Sequence, residues 1–179
     1  MAKAKIETMF YQILLALDHV HAHNPQIIHR DIKPPNILFQ GENFFLTDFG
    51  IAKVVDTSKT FVGTHSYMAP ELWLNSDQTP KVDIYALGAT FVECLEEFPL
   101  EAENPQRQLW HQRLQTLANG YRIARMLADT PSERPTAREL LGHFFPNSPH
   151  PSVQCPRNNI APSSFVSSPE VLAICVPIL

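Results

Sequence analysis

The segment from Ile28 to Thr47 constrains the fold most, because a dense group of polar residues runs directly into two short apolar stretches. The polar group, IHRDIKPPN at 28–36, contains one imidazole, two cations, one carboxylate and one carboxamide. The apolar stretches, ILF at 37–39 and FFLT at 44–47, flank the turn-like QGEN at 40–43. Two β-prone stretches around a short polar turn predict a β-hairpin. The polar group is therefore attached to the base of a hairpin.

The register of this hairpin predicts which polar side chains come together. If Phe39 faces Phe44, the residues just outside the strands, Asn36 and Asp48, emerge side by side at the open end. One carboxamide oxygen and one carboxylate suit a hard cation such as Mg²⁺, which keeps water or phosphate oxygens as its other ligands. Asp31 precedes Asn36 by five residues, close enough along the chain to face the same place. The sequence therefore predicts a phosphate-handling metal site at this end.

Elsewhere the apolar periodicity predicts mostly helix. Residues 4–23 have one apolar face at helical spacing, and the nearly all-apolar run 82–95 is typical of a buried central helix. Polar helical sequence follows at 105–128, and a last short helix is predicted at 136–144. The expected fold class is α+β, mainly α-helical.

Composition restricts the domain plan, the partners and the compartment. The 179 residues suffice for one domain, which we expect at 1–145, whereas the Pro- and Ser-rich tail at 146–179 is predicted to be disordered. A formal charge of -4 argues against nucleic acid or a membrane surface as partner. The three cysteines are widely spaced and form no CxxC pair, so a reducing compartment, the cytoplasm or the nucleus, is expected.

Taken in order, the motifs resemble the catalytic core of eukaryotic-type protein kinases. HRDIKPPN at 29–36 is similar to the catalytic loop, DFG at 48–50 to the metal motif, and APE at 69–71 to the end of the activation segment. VDIYALG at 82–88 and ERPT at 133–136 continue the pattern, and five motifs in register make chance a remote explanation. The resemblance implies a kinase-like C-terminal lobe whose short hairpin carries the metal site.

The resemblance implies a role for each residue near the hairpin. Asp31 would accept the proton of the substrate hydroxyl, and Lys33 would stabilise charge on the transferred phosphoryl group. Asn36 and Asp48 would hold the Mg²⁺ ions that bridge the ATP phosphates, and Leu38 would contact the adenine ring. Lys33, two residues after Asp31, and a small Thr64 in the docking segment are similar to the serine/threonine-specific pattern. The implied enzyme is a protein serine/threonine kinase.

Other matched residues have structural roles by the same resemblance. Asp83 would pin the backbone of the catalytic loop, and Glu71 would pair with Arg134, a buried ion pair that fixes geometry. His29 is expected to be a packed core histidine near Phe49 rather than a base.

Arg30 suggests regulation through the loop at 55–65. In kinases with this arginine, a phosphate on the activation loop pairs with it and orders the segment. We prefer Thr60 as the modified residue, with Thr57 and Ser58 as alternatives.

The sequence shows no counterpart of the kinase small lobe. All six glycines lie at Gly41 or later, none forms GxGxxG, and no VAIK-like strand supplies a phosphate-binding lysine. We therefore expect an apolar patch around Leu38 and Phe49 that a protein partner would cover, and Mg·ATP affinity weaker than about 100 μM. A non-catalytic kinase-like scaffold and an unrelated Mg²⁺-dependent phosphotransferase remain as alternatives. The docking segment 63–71 favours protein substrates over the latter.

Overall fold

The computed structural model describes residues 1–49, 53–54, 65–73, 78–97 and 107–148. Within these ranges there are five α-helices and four short strands: α1 (Lys3–His21), β1 (Ile27–Ile28), β2 (Ile37–Gln40), β3 (Asn43–Leu46), β4 (Lys53–Val54), α2 (Pro70–Trp73), α3 (Lys81–Glu96), α4 (Arg107–Gly120) and α5 (Ala137–Phe144). Short 3₁₀ turns lie at Pro34–Asn36, His65–Tyr67, Ala124–Leu127 and Pro131–Glu133. The described part is thus mainly helical. None of its helices is long and apolar enough to cross a membrane.

Helix α3 is the centre of the core, as its apolar composition predicts. Every residue from 82 to 92 is buried, because α1, α4 and the 3₁₀ turn Ala124–Leu127 surround it. Gly88 permits the closest of these contacts. A Cβ atom at this position would lie 3.1 Å from the Cβ of Met126 and 3.2 Å from Cδ2 of Leu127.

Helix α1 carries the hairpin and joins it to α3. The helix ends at His21, two residues before the predicted end, shortly before Asn24-Pro25. Its buried Gln12 accepts a hydrogen bond from the Phe44 amide at 2.6 Å through Oε1. The hairpin is therefore fixed to the rigid core by a side chain as well as by apolar packing.

The hairpin has the predicted register but a shorter turn. Phe39 pairs with Phe44, and Ile37 with Leu46. Gln40 and Asn43 also pair, so the loop contains two residues rather than four. Gly41 makes this possible, because its φ of +64° lies in the left-handed region that glycine adopts without a steric penalty. Asn36 and Asp48 still bracket the open end.

The predicted helix at 105–128 is wrong in its second half. Helix α4 ends at Gly120, Arg122 takes a φ of +63°, and the chain re-forms only a 3₁₀ turn at Ala124–Leu127. The last helix begins at Ala137, because Thr136 is its N-cap and forms a capping box with Glu139. A second two-stranded sheet, β1 with β4, was not predicted. The tail from 149 onward lies outside the described residues.

Candidate active site

The base of the hairpin joins Asn36 to Thr47, the residue before Asp48. The Thr47 amide donates to the Asn36 carbonyl at 2.9 Å, and the Thr47 hydroxyl donates to the same oxygen at 3.1 Å. Asn36 is buried, whereas Asp48, the residue after Thr47, is exposed. Thr47 thus pairs with Asn36, and the convergence of the Asn36 and Asp48 side chains stays a prediction. Gly50, the third residue of the DFG motif, lies outside the described residues.

Asp31 is held by the two residues that the sequence places beside it. Asn36 Nδ2 donates to the Asp31 carbonyl at 2.7 Å and to its carboxylate Oδ2 at 3.0 Å. Lys33 Nζ lies 3.0 Å from the same carboxylate oxygen. The carboxylate is 7 % exposed and its contacts with Lys33 are charge-assisted, so its orientation is well defined.

His29 is buried, and both nitrogens of its ring have partners. Nε2 lies 2.8 Å from the Thr47 carbonyl, and Nδ1 accepts from the Asp31 amide at 3.3 Å. A carbonyl can only accept and an amide N–H can only donate, so the ring is the neutral tautomer with its proton on Nε2. Its edge contact with Phe49, with ring centroids 4.5 Å apart, is the one expected from the sequence. Neither nitrogen is available to act as a base.

Asp83, at the start of α3, links the polar loop to the helical core. Its fully buried carboxylate accepts hydrogen bonds from the His29 amide at 2.9 Å and the Arg30 amide at 2.8 Å, and it contacts His21 Nε2 at 2.8 Å. Burial raises the pKa of Asp83, but the hydrogen bond and charge of His21, together with the backbone hydrogen bond from Arg30, outweigh it. The net pKa therefore lies below its ordinary value, and the carboxylate is anionic.

Two of the described non-glycine residues with positive φ lie in this site. Arg30 has a φ of +73° and Asp48 a φ of +63°. Such a conformation costs about 1–2 kcal/mol for a residue with a Cβ atom. At Arg30 the charged acceptor on Asp83 offsets this cost, since a hydrogen bond to a charged group contributes about 1.5–3 kcal/mol. The surrounding contacts thus maintain a backbone shape that the local sequence would not adopt alone.

Glu71 and Arg134 form the expected ion pair, and Arg134 is completely satisfied. Its guanidinium makes two contacts with the Glu71 carboxylate, at 2.6 and 2.7 Å. It also donates to the carbonyls of Ala128, Lys81 and Asp129, at 2.8, 3.0 and 3.2 Å. All five N–H donors of the arginine are therefore used. This side chain joins α2, α3 and the turn before α5.

Three functional neighbours were not predicted as such: Gln12, His21 and Thr47. Each makes a polar contact that positions the loop or the hairpin. His21 falls on the apolar face of α1, which is the signal that could have singled it out. Gln12 gives the same signal, a polar residue within the buried stripe of an amphipathic helix.

The first strand of the hairpin exposes two large apolar side chains, those of Leu38 and Phe39. Leu38 is 50 % exposed and Phe39 46 % exposed, and Lys5 Nζ lies 3.3 Å from the centre of the Phe39 ring. Phe49 is half-buried. The exposure of Leu38 fits the patch expected around Leu38 and Phe49, whereas the Phe39 side chain lies on the opposite face of the strand.

The sequence profile of the protein kinase domain matches residues 1–145, most of the chain. The chain belongs to the protein kinase family. This kinase chain is 34% identical over 154 residues to "Serine/threonine-protein kinase Nek6" of Oryza sativa subsp. japonica, covering 76% of the chain and 28% of that protein. It is 37% identical over 156 residues to "Serine/threonine-protein kinase TAO1-B" of Xenopus laevis, covering 79% of the chain and 15% of that protein.

A bacterial relative matches a shorter region more closely. "Serine/threonine-protein kinase PknH" of Mycobacterium tuberculosis is 46% identical over 94 residues, covering 49% of the kinase chain and 15% of that protein. The chain thus spans less than a third of the length of each of these relatives. All three relatives are named as serine/threonine-protein kinases, so the family resemblance is to that class.

Proposed function

We propose that this chain carries the catalytic and metal-binding half of a protein serine/threonine kinase and corresponds to the large C-terminal lobe. The observation that carries the proposal is the cluster of Asp31, Lys33 and Asn36 at the base of the hairpin. Asp48 follows Thr47, whose hydroxyl donates to the Asn36 carbonyl. Asp31 accepts the proton of the attacking hydroxyl, because its carboxylate is oriented by Asn36 and Lys33. Lys33 also places a positive charge where negative charge develops on the transferred phosphoryl group.

The residues present fit a Mg²⁺ ion. Both hydrogen bonds that the Asn36 carboxamide makes with described residues use Nδ2, which leaves Oδ1 as an oxygen ligand, and Asp48 contributes an exposed carboxylate. Hard oxygen donors of this kind are what Mg²⁺ prefers, with phosphate oxygens and water as its other ligands. When bound, Mg²⁺ neutralises charge on the ATP phosphates. Leu38, exposed on β2, offers an apolar surface to the adenine ring.

We also propose regulation through Arg30. Its Nε is buried and has no hydrogen-bond partner in the described part of the chain. A phosphate on the activation segment would satisfy this donor and order the segment. Thr60, our preferred acceptor, lies outside the described residues, as does Thr64. If Thr60→Ala transferred phosphate at the same rate as the wild-type chain, this part of the proposal would be wrong.

The test uses the 179-residue chain and separates binding from chemistry. Mg·ATP and Mg-free ATP are titrated by calorimetry, and phosphate transfer to a mixture of Ser-, Thr- and Tyr-containing peptides is followed by mass spectrometry at several millimolar nucleotide. We expect Asp48→Asn to abolish the Mg²⁺ dependence of binding. Asp31→Asn should keep binding and lose phosphate transfer by about 10²–10⁴-fold, the usual contribution of a general base. Glu42→Gln, a neutralised carboxylate in the exposed hairpin turn, is the matched control.

The alternatives give different results. Phosphate transfer that is insensitive to Asp31→Asn would contradict the assigned chemistry. Mg²⁺-dependent nucleotide binding without transfer to any peptide would favour the kinase-like scaffold. Transfer to small-molecule acceptors alone would favour the unrelated phosphotransferase.

A further inference from the structure

A cavity of about 420 Å³ lies between the start of α3, the segment after α4, and α5. None of its lining residues belongs to the catalytic loop or the hairpin. Ile123, Met126, Leu140 and Phe144 supply apolar contacts on its walls. This space is large enough for an organic molecule as well as for an inorganic ion.

Cationic side chains dominate the polar part of this cavity. Lys81, Arg122, Arg125 and Arg134 line it, together with His143. Arg134 is paired with Glu71, but among the described residues no carboxylate lies within ion-pair distance of Lys81, Arg122 or Arg125. The polar contacts of Lys81 and Arg125 are to the backbone carbonyls of Arg134 and Glu133. Three cations therefore share one cavity without an anionic partner in contact.

The one carboxylate in the lining has another structural role. Glu139 accepts from the Thr136 amide at 2.7 Å and from the Thr136 hydroxyl at 2.9 Å, as part of the capping box of α5. These hydrogen bonds, the amide bond foremost, lower the pKa of Glu139. Its anionic charge is held at the helix cap and is outnumbered by the cations.

The electrostatics of Lys81 reflect this imbalance. Burial lowers the pKa of Lys81. The negative charge of Glu139 raises this pKa, whereas the guanidinium groups of Arg134 and Arg125 lower it. The cations therefore act on one another at close range, and a bound anion would relieve their repulsion.

We propose that this cavity binds a phosphate monoester. Arg122 and Arg125 offer planar forks of N–H donors that match phosphate oxygens, and Lys81 adds a third positive charge. The organic part of the ligand would lie against Ile123 and Phe144. The proposal does not depend on catalysis at Asp31, because it uses none of the residues of that site. The ester is carried either by a small phosphorylated molecule or by a phosphorylated side chain of a protein.

The test uses the full chain and phenyl phosphate, which joins a dianion to an apolar ring. Calorimetric titration should show saturable binding that weakens with added NaCl. We expect Arg122→Gln and Arg125→Gln each to weaken binding about tenfold or more, because each removes charge-assisted hydrogen bonds. Both residues are exposed, so the variants should unfold at wild-type temperature. Lys3→Gln, on the exposed start of α1, removes the same unit charge and should bind within about twofold of wild type.

Two results would overturn the proposal. One is wild-type affinity in both arginine variants, and the other is phenol binding as tightly as phenyl phosphate. The proposal would also be overturned if binding of phenyl phosphate did not saturate by about 20 mM. Only binding with a free energy weaker than about 2 kcal/mol escapes detection at that concentration. A phosphoserine hexapeptide and glucose 6-phosphate distinguish the two sources, since the tighter binder identifies the carrier of the ester. Each of these measurements reads binding alone, so they stand independently of kinase activity.

Discussion

Replacing Arg134 with methionine should destabilise the chain strongly. Arg134 is 1 % exposed, and its five donors bind Glu71 and three backbone carbonyls. Methionine fills part of the volume but leaves the Glu71 carboxylate buried without its cation. Removing one partner of a buried ion pair costs about 3–5 kcal/mol. At about 2–4 °C per kcal/mol for a chain of this size, the midpoint of thermal unfolding should fall by about 10 °C.

Arg138→Met provides a control with the same chemistry and different burial. Arg138 also binds one carboxylate with two nitrogens, since Nε and Nη2 lie 3.1 and 2.8 Å from the Asp18 oxygens. Its side chain is 72 % exposed, however, whereas that of Arg134 is 0 % exposed. Surface ion pairs contribute about 0–1 kcal/mol, so the control should unfold within about 4 °C of wild type.

Urea unfolding followed by circular dichroism measures both variants. Equal losses for Arg134→Met and Arg138→Met would refute the reasoning, because burial would then not determine the cost. A double variant with Glu71→Leu provides a second test. It removes the uncompensated carboxylate, and it should recover part of the stability lost in Arg134→Met.

Three further predictions concern single side chains. Asp83→Asn should cost about 2–4 kcal/mol at pH 7, because it removes a charged acceptor. The pKa of Asp83 in the folded chain lies below its ordinary value. The charge of Asp83 therefore stabilises the fold above about pH 4, and this contribution is lost as the pH falls through the folded pKa. Urea unfolding at pH 3 should accordingly show a smaller difference in stability between Asp83→Asn and wild type. Gly88→Ala should destabilise the chain by about 1–3 kcal/mol, because its Cβ would meet Met126 at 3.1 Å. Gly142→Ala, with no atom within 4 Å of its Cβ, should stabilise it by about 0.5–1 kcal/mol. The midpoint of thermal unfolding should therefore fall in the first variant and rise in the second. Burial raises the pKa of Cys94 to about 11, so its alkylation at pH 8, followed by peptide mass spectrometry, should be far slower in the native chain than in urea; equal rates would contradict this.

The local sequence pattern was sufficient to predict some secondary-structure elements and insufficient for others. The hairpin register follows from alternation and turn chemistry, both of which are encoded within ten residues. The break after Gly120 was not predicted, although Asn119-Gly120 is a turn signal in the sequence, and the positive φ falls two residues later at Arg122. Gln12 was missed since its partner, the Phe44 amide, lies 32 residues away. Buried polar residues on a helix depend on long-range partners that periodicity does not identify.

The same limit applies to the candidate site. The convergence of Asn36 and Asp48 stays a prediction from strand pairing, whereas the pairing itself could be predicted from the local sequence. The orientation of Asp31 could not, because it depends on side-chain contacts with Lys33 and Asn36. Contacts between distant segments, such as Asp83 with the loop, came from the family resemblance and not from spacing.

The carboxylate of Asp83 links the motion of the loop at 28–36 to that of the helical core. The amide protons of His29 and Arg30 lie in a loop, but their acceptor sits on a helix that is buried on all sides. Their exchange with solvent requires separation of the loop from α3 rather than a local fluctuation. Slow hydrogen exchange should therefore extend from the core into the loop. The loop that carries Asp31 is therefore expected to open in the same cooperative unit as the central helix.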